Sequence, residues 1–157
     1  MVVVIEFDGA CEPVNPGGTG TYGFILRGVP GFVEPLAIGG VAGTGEGMTN
    51  NVAEYVGLKR ALESLDAVAA IPPDAELVLR GDSQLVVKQV AGDWRCNHAH
   101  LTALRDACRA LLTKIGCRWR TEWVPREQNT EADALAGEAY ERETGHKMPV
   151  RIRKRKG

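Results

Sequence analysis

Four carboxylates in this 157-residue chain stand where strands end or helices begin: Asp8, Glu54, Asp82 and Asp133. Each has an ordinary local explanation. Asp8-Gly9 reads as a turn, Asn51-x-x-Glu54 and Thr130-x-x-Asp133 fit or nearly fit a capping box, and Asp82 suits an N-cap before Ser83-Gln84. Taken together they point elsewhere, because an α/β sheet gathers the ends of parallel strands and the starts of the following helices on one edge, where sites form. Four acids on one edge repel unless cations neutralise them. Magnesium and manganese are hard ions that take oxygen ligands, and a pair of them roughly 4 Å apart clamps the attacking water and the leaving oxygen of a phosphoryl displacement. No other catalytic set competes: there is no G-x-S-x-G and no Walker loop, and Gly17-Gly18-Thr19-Gly20 lies between two strands rather than between a strand and a helix.

The elements that must position these acids follow from the apolar pattern. Residues 2–8 read as a buried strand ending at Asp8, followed by a stretch dense in turn formers, Cys11 to Gly18. Tyr22 to Arg27 and Phe32 to Ile38 read as two strands joined by the short Gly28–Gly31 connection, which implies antiparallel pairing. From Asn51 to Leu65 the residues Leu58, Ala61, Leu62 and Leu65 recur at helical spacing, with Glu54 on the same stripe. A strand at Glu76 to Arg80, helices at Gln84 to Val90 and His100 to Lys114, a strand at Arg118 to Val124 and a helix at Thr130 to Arg142 complete the order. The later strands are separated by helices and must run parallel. The expected fold is α/β: one five-stranded mixed sheet, three antiparallel strands followed by parallel additions, with helices on both faces.

Composition agrees with one globular domain: 44% of residues are hydrophobic and 25% charged. The opening Val2-Val3-Val4-Ile5 reads as a strand rather than a leader, and no apolar run reaches membrane-spanning length, so a cytoplasmic location with no membrane role is expected. Cys11, Cys96, Cys108 and Cys117 have no zinc-binding spacing and are expected as reduced thiols. The net charge of −1 hides an asymmetry. Arg151, Arg153, Lys154, Arg155 and Lys156 hold five of the 19 cations and their run contains no acid, which leaves residues 1–150 with 14 cations against 20 acids, a net −6. The expected division is a catalytic domain over residues 1–145 and a basic tail over 146–157.

The segments Asp8-Gly9-Ala10, Thr49-Asn50-Asn51-Val52-Ala53-Glu54-Tyr55, Gly81-Asp82-Ser83-Gln84 and Asn129-Thr130-Glu131-Ala132-Asp133 resemble, in order, the four catalytic motifs of type 1 ribonuclease H. The resemblance runs from residue 2 to about 142, and the phrases Cys11 to Gly18 and Val124 to Asn129 are most similar to the archaeal-type branch. It implies an endonuclease that hydrolyses the RNA strand of RNA/DNA hybrids, leaves 5′-phosphate and 3′-hydroxyl ends and uses two Mg2+ ions, with Mn2+ able to substitute. Asp8 would bridge both ions, Asp133 would help hold the ion that activates water, and Glu54 with Asp82 would hold the ion on the leaving side. Activity on double-stranded RNA and a monomeric state are further expectations. A fold retained only as a nucleic-acid-binding module, or a DNA-junction nuclease, is the alternative.

By position, Asn15, Asn50 and Gln84 are the expected minor-groove contacts, with the backbone around Cys11 and Glu12 near the RNA 2′-hydroxyls; turn and cap duty is the competing role for the two asparagines. The loop after the last strand, where many members carry a histidine, has none here, and Glu127 is the expected substitute. His98, His100 and His146 are expected in ordinary surface roles. The basic helical protrusion of some bacterial members is absent, with Trp94-Arg95-Cys96-Asn97 a shorter route. Trp94 beside Arg95 is expected at the nucleic-acid surface, whereas Trp119 and Trp123, on one face of a strand, are expected in the core.

Overall fold

The computed structural model describes residues 1–149, so Arg151, Arg153, Lys154, Arg155 and Lys156 of the expected basic tail lie outside the described residues. Five strands, β1 (Val2–Glu12), β2 (Gly17–Arg27), β3 (Leu36–Gly45), β4 (Glu76–Gly81) and β5 (Arg118–Trp123), form one sheet in the order β3-β2-β1-β4-β5. The first three pair antiparallel and β4 and β5 add parallel. Among the described residues four helices accompany them, α1 (Asn50–Val68), α2 (Gln84–Ala91), α3 (Ala99–Ile115) and α4 (Thr130–Thr144), with a short 3-10 turn at Arg126–Gln128.

The apolar stripe of α1, including Leu58, Leu62 and Leu65, packs with Ile5, Phe7, Leu77 and Leu79 from β1 and β4 in the main core. The opposite side of the sheet takes α4, which lies against β2, β3 and β1 through buried Ala132, Ala136, Ala139 and Tyr140. Helices thus cover both faces, as expected. All four cysteines are free thiols, and burial pushes that of Cys108 up to about 12. Among the described residues no helix is long and apolar enough to cross a membrane.

Several local expectations are corrected. Asp8 does not end a strand: β1 continues to Glu12 and pairs with β2 down to Thr19, so Asp8-Gly9 is no turn. The turn formers occupy only the tip of a long hairpin, with cis peptides at Glu12-Pro13 and Asn15-Pro16. The third strand runs over Leu36–Gly45 instead of Phe32 to Ile38, because Pro30 and Pro35 bracket a turn in which the Phe32 amide bonds the Val29 carbonyl and Val33 is 98% exposed. The capping roles go to other residues. Thr49 Oγ1 accepts from the Val52 amide at 3.1 Å and Ser83 Oγ from the Val86 amide at 3.3 Å, which releases Glu54 and Asp82 from cap duty. Trp123 is 40% exposed rather than in the core, whereas Trp119 does pack against the core.

Two glycines let helices rest closely on the sheet, α1 on β1 and α4 on β2. A Cβ on Gly9 would overlap the backbone of Ala53 and Glu54 in α1, and one on Gly23 would overlap the Ala132 carbonyl and Leu135 in α4. Gly23 is the register partner of Asp8. Across β2, β1, β4 and β5 a chain of ion pairs follows: Glu131 to Arg27 at 3.0 Å, Arg27 to Glu6, Arg80 to Glu6 at 4.0 Å and Arg80 to Glu122 at 2.9 Å. Arg120 extends it to Glu122 at 3.1 Å and Glu76 at 3.2 Å.

Candidate active site

Asp8 projects from the central strand and is completely buried. Glu54 lies one turn into α1 and is 6% exposed, and Asp82 follows the last residue of β4. One carboxylate oxygen from each of these three lies within 4.8 Å of the others. Asp133, half-buried in the first turn of α4, stands outside that trio, yet its charge acts on Asp8. The topology explains the convergence: β1 and β4 are parallel neighbours, and α1 and α4 press on β1 from opposite faces.

Among the described residues neither oxygen of Asp8 receives a hydrogen bond from an N–H, and its neighbours are Glu54, Asp82 and Asp133. Burial first, then the charges of Glu54 and Asp82, the contact with Glu54 and the charge of Asp133 raise its carboxyl well above the ordinary range. A buried acid among acids is a costly arrangement unless a cation fills it. The donor set, carboxylate oxygens only, fits a hard divalent ion such as magnesium or manganese and does not fit a soft one.

Around the acids, Asn15 holds Asn50 and Asn50 in turn holds Cys11. Asn50 Oδ1 accepts from the Cys11 amide at 2.8 Å, and Asn15 Oδ1 accepts from the Asn50 amide at 3.2 Å. Both asparagines therefore do turn and helix-start duty through their oxygens, while among the described residues neither Nδ2 amide donates to the protein. The Cys11 amide donates to Asn50, its buried thiol turns to the Val14 carbonyl at 3.1 Å, and Glu12 beside it is half-buried. Gln84 is the half-buried first residue of α2, next to Ser83 and Asp82. Trp94, 46% exposed, and exposed Arg95 sit in the loop after α2. Glu127 is exposed in the 3-10 turn.

Three neighbours of the site were assigned no role there by the sequence. Arg126 Nε lies 3.7 Å from Asp82 Oδ2. The indole N–H of Trp123 donates to the Asp82 carbonyl at 3.1 Å. Buried Asn129 donates from Nδ2 to the Phe7 carbonyl at 2.8 Å and so ties the start of α4 to the strand that carries Asp8. Asn129 opens the fourth motif and Arg126 lies in the segment Val124 to Asn129, and that company with Asp133 was the signal available.

A family model described as reverse transcriptase-like matches residues 6–139. Ribonuclease HI of Halobacterium salinarum is 42% identical over 127 residues, 73% of this chain and 60% of that protein. The bifunctional protein Rv2228c of Mycobacterium tuberculosis is 39% identical over 145 residues, which cover 90% of this chain and 36% of that protein. The chain thus spans only part of the length of these curated relatives. Among solved structures, RNase H1 from Halobacterium salinarum superposes with a TM-score of 0.73 at 38% identity, covering 90% of this chain and 99% of that one. LC11-RNase H1 in complex with RNA/DNA hybrid gives 0.77 at 27% identity, covering 90% and 98%. The archaeal likeness in fold thus extends over nearly the whole of that solved chain. This chain belongs to the type 1 ribonuclease H family.

Proposed function

We propose that the protein is an endoribonuclease that cuts the RNA strand of RNA/DNA hybrids and leaves 5′-phosphate and 3′-hydroxyl ends. The observation that carries this is Asp8, wholly buried, without an N–H donor and within 4.8 Å of Glu54 and Asp82 oxygens. That arrangement asks for divalent cations, and the kinship with ribonuclease HI and with a hybrid-bound homologue supports the substrate. Asp8, Glu54 and Asp82, with Asp133 completing the set, would hold two Mg2+ ions, for which Mn2+ can substitute. When bound, such ions activate water and neutralise charge developing on the phosphate.

The remaining groups act on the substrate. The Nδ2 amides of Asn15 and Asn50 and the amide of Gln84 are donors suited to ribose hydroxyls and base edges in a shallow minor groove, which is how a duplex is recognised without regard to sequence. Glu127, on the turn between β5 and α4, assists proton movement or product release. Trp94 and Arg95 meet the sugar–phosphate backbone, and the basic tail adds phosphate affinity that is indifferent to sequence. In this reading residues 1–145 form the catalytic unit, and the protein acts as a monomer in the cytoplasm.

The test is a cleavage assay on hybrid, double-stranded RNA and double-stranded DNA across Mg2+ and Mn2+ titrations. Hybrid should be cut at internal positions with 3′-hydroxyl ends, double-stranded RNA less readily, and DNA not at all. Hybrid left intact at every metal concentration refutes the proposal, and equal cutting of DNA favours a junction nuclease.

A further inference from the structure

Gln89 occupies the buried face of α2, 6% exposed among Val86, Val87 and Val90. A side-chain amide in such a place needs partners, and this one has two. Its Oε1 accepts from the Tyr55 hydroxyl at 2.7 Å, and its Nε2 donates to the Arg95 carbonyl at 3.2 Å. A carbonyl only accepts, so the Arg95 contact fixes which way the amide points. Tyr55 is fully buried and adjacent to Glu54 on α1, and burial raises its hydroxyl so that it remains a protonated donor. A two-bond path therefore runs from the helix carrying Glu54 to the backbone of the exposed loop 92–98.

That loop is pinned from other sides as well. The Asp93 and Trp94 amides bond the Lys88 carbonyl at 2.9 and 3.2 Å, and Thr102 Oγ1 donates to the Cys96 carbonyl at 3.1 Å. Arg109 reaches from α3 to the Gln89 and Val90 carbonyls at 3.1 to 3.3 Å. The loop backbone is held from within while Trp94 and Arg95 stand in solvent, a preorganised arrangement that lowers the ordering cost of binding.

We infer that Gln89, held by Tyr55, is a positioning residue that sets the Trp94-Arg95 loop against the Glu54 helix and so fixes where the backbone of the bound duplex is gripped. This rests on the proposed hybrid substrate. The eight residues of α2 span roughly 12 Å, and that helix separates the grip from Asp82.

Arg95→Ala removes the gripping cation at the surface, Gln89→Met removes both bonds at similar length, and Gln89→Glu keeps the acceptor for Tyr55 while losing the donor to Arg95. The two Gln89 variants should raise KM for hybrid about three- to tenfold with kcat within about twofold. They should also flatten the salt dependence of binding by about one ion, as Arg95→Ala does. Gln89→Met combined with Arg95→Ala should be no worse than Arg95→Ala alone, and additive losses overturn the inference. Hydrogen exchange in the free protein gives a second reading: amides 92–98 should lose protection in both Gln89 variants while α1 keeps its own, and unchanged protection also overturns it. Wild-type protein that binds no hybrid refutes the substrate reading instead, a result distinct from either of these.

Discussion

Replacing Asp8 by asparagine should abolish cleavage and stabilise the metal-free protein. The carboxylate oxygens of Asp8, Glu54 and Asp82 lie within 4.8 Å of one another. At that separation and an effective dielectric near 20, two unit charges repel by roughly 3.5 kcal/mol. The fully ionised trio contains three such pairs, and the substitution removes two of them. Part of the cost is already avoided by protonation, since the Asp8 carboxyl titrates well above its usual 3.8. The native state therefore keeps a proton that the unfolded chain has released. Its contribution is complete below the unfolded value near 3.8 and is lost as pH rises through the raised folded value. An amide at the same place carries no charge and can donate to Glu54 or Asp82. Asp8→Asn should thus gain about 1–3 kcal/mol at pH 8 in chelator, a rise in Tm of roughly 3–10 °C, and little or nothing at pH 4. Magnesium should narrow or invert the difference, because an ion that binds only the native wild type stabilises it by mass action. Thermal melts at both pH values, with and without magnesium, and a hybrid cleavage assay measure all three parts. Parallel pH profiles for the two proteins, or near wild-type turnover of the variant at saturating magnesium, would refute the reasoning.

Glu127→Gln should lower kcat several-fold while leaving KM for hybrid close to the wild-type value, as single- and multiple-turnover kinetics can show; equal rates return Glu127 to a plain surface position. Arg126→Gln removes a half-buried guanidinium 3.7 Å from Asp82, and because a partly exposed pair of this kind is worth about 0.2–1 kcal/mol, calorimetric titration with magnesium alone should show affinity rising by up to roughly fivefold. Truncation after Val150 removes five cations. It should raise KM for hybrid and flatten its salt dependence with kcat little changed, and coincident salt plots for the two lengths count against a role for the tail.

The four acids and their order were legible because each sits beside a strong local marker, an apolar strand run or a helical stripe. The parallel addition of β4 and β5 was legible for the same reason, since helices must intervene. What escaped the sequence depends on contacts between distant segments. The upper arms of the β1–β2 hairpin are hidden by Pro13, Pro16 and the glycines at its tip, although Ala10 to Glu12 pair across to Thr19 through Thr21. The third strand is poor in β-branched residues and is recruited by its ladder with β2, which no local pattern announces. Trp123 alternates as a core residue would, yet it ends its strand at the sheet edge, where its indole serves the Asp82 backbone. Arg126 reads as one more loop cation until β4 and the 3-10 turn are seen side by side.

Gly9 and Gly23 have a consequence for how such a site can vary. Asp8 has one of them as its chain neighbour and the other as its partner across the ladder, and each marks the place where a helix backbone rests directly on the sheet. The gap between the carboxylates is therefore gauged by two hydrogen atoms that stand where methyl groups would be. A single added carbon would act as a shim, lifting the Glu54 helix on one side or the Asp133 helix on the other while every acid kept its identity. The spacing of these carboxylates is a tolerance of the backbone stack, adjustable from positions that carry no charge.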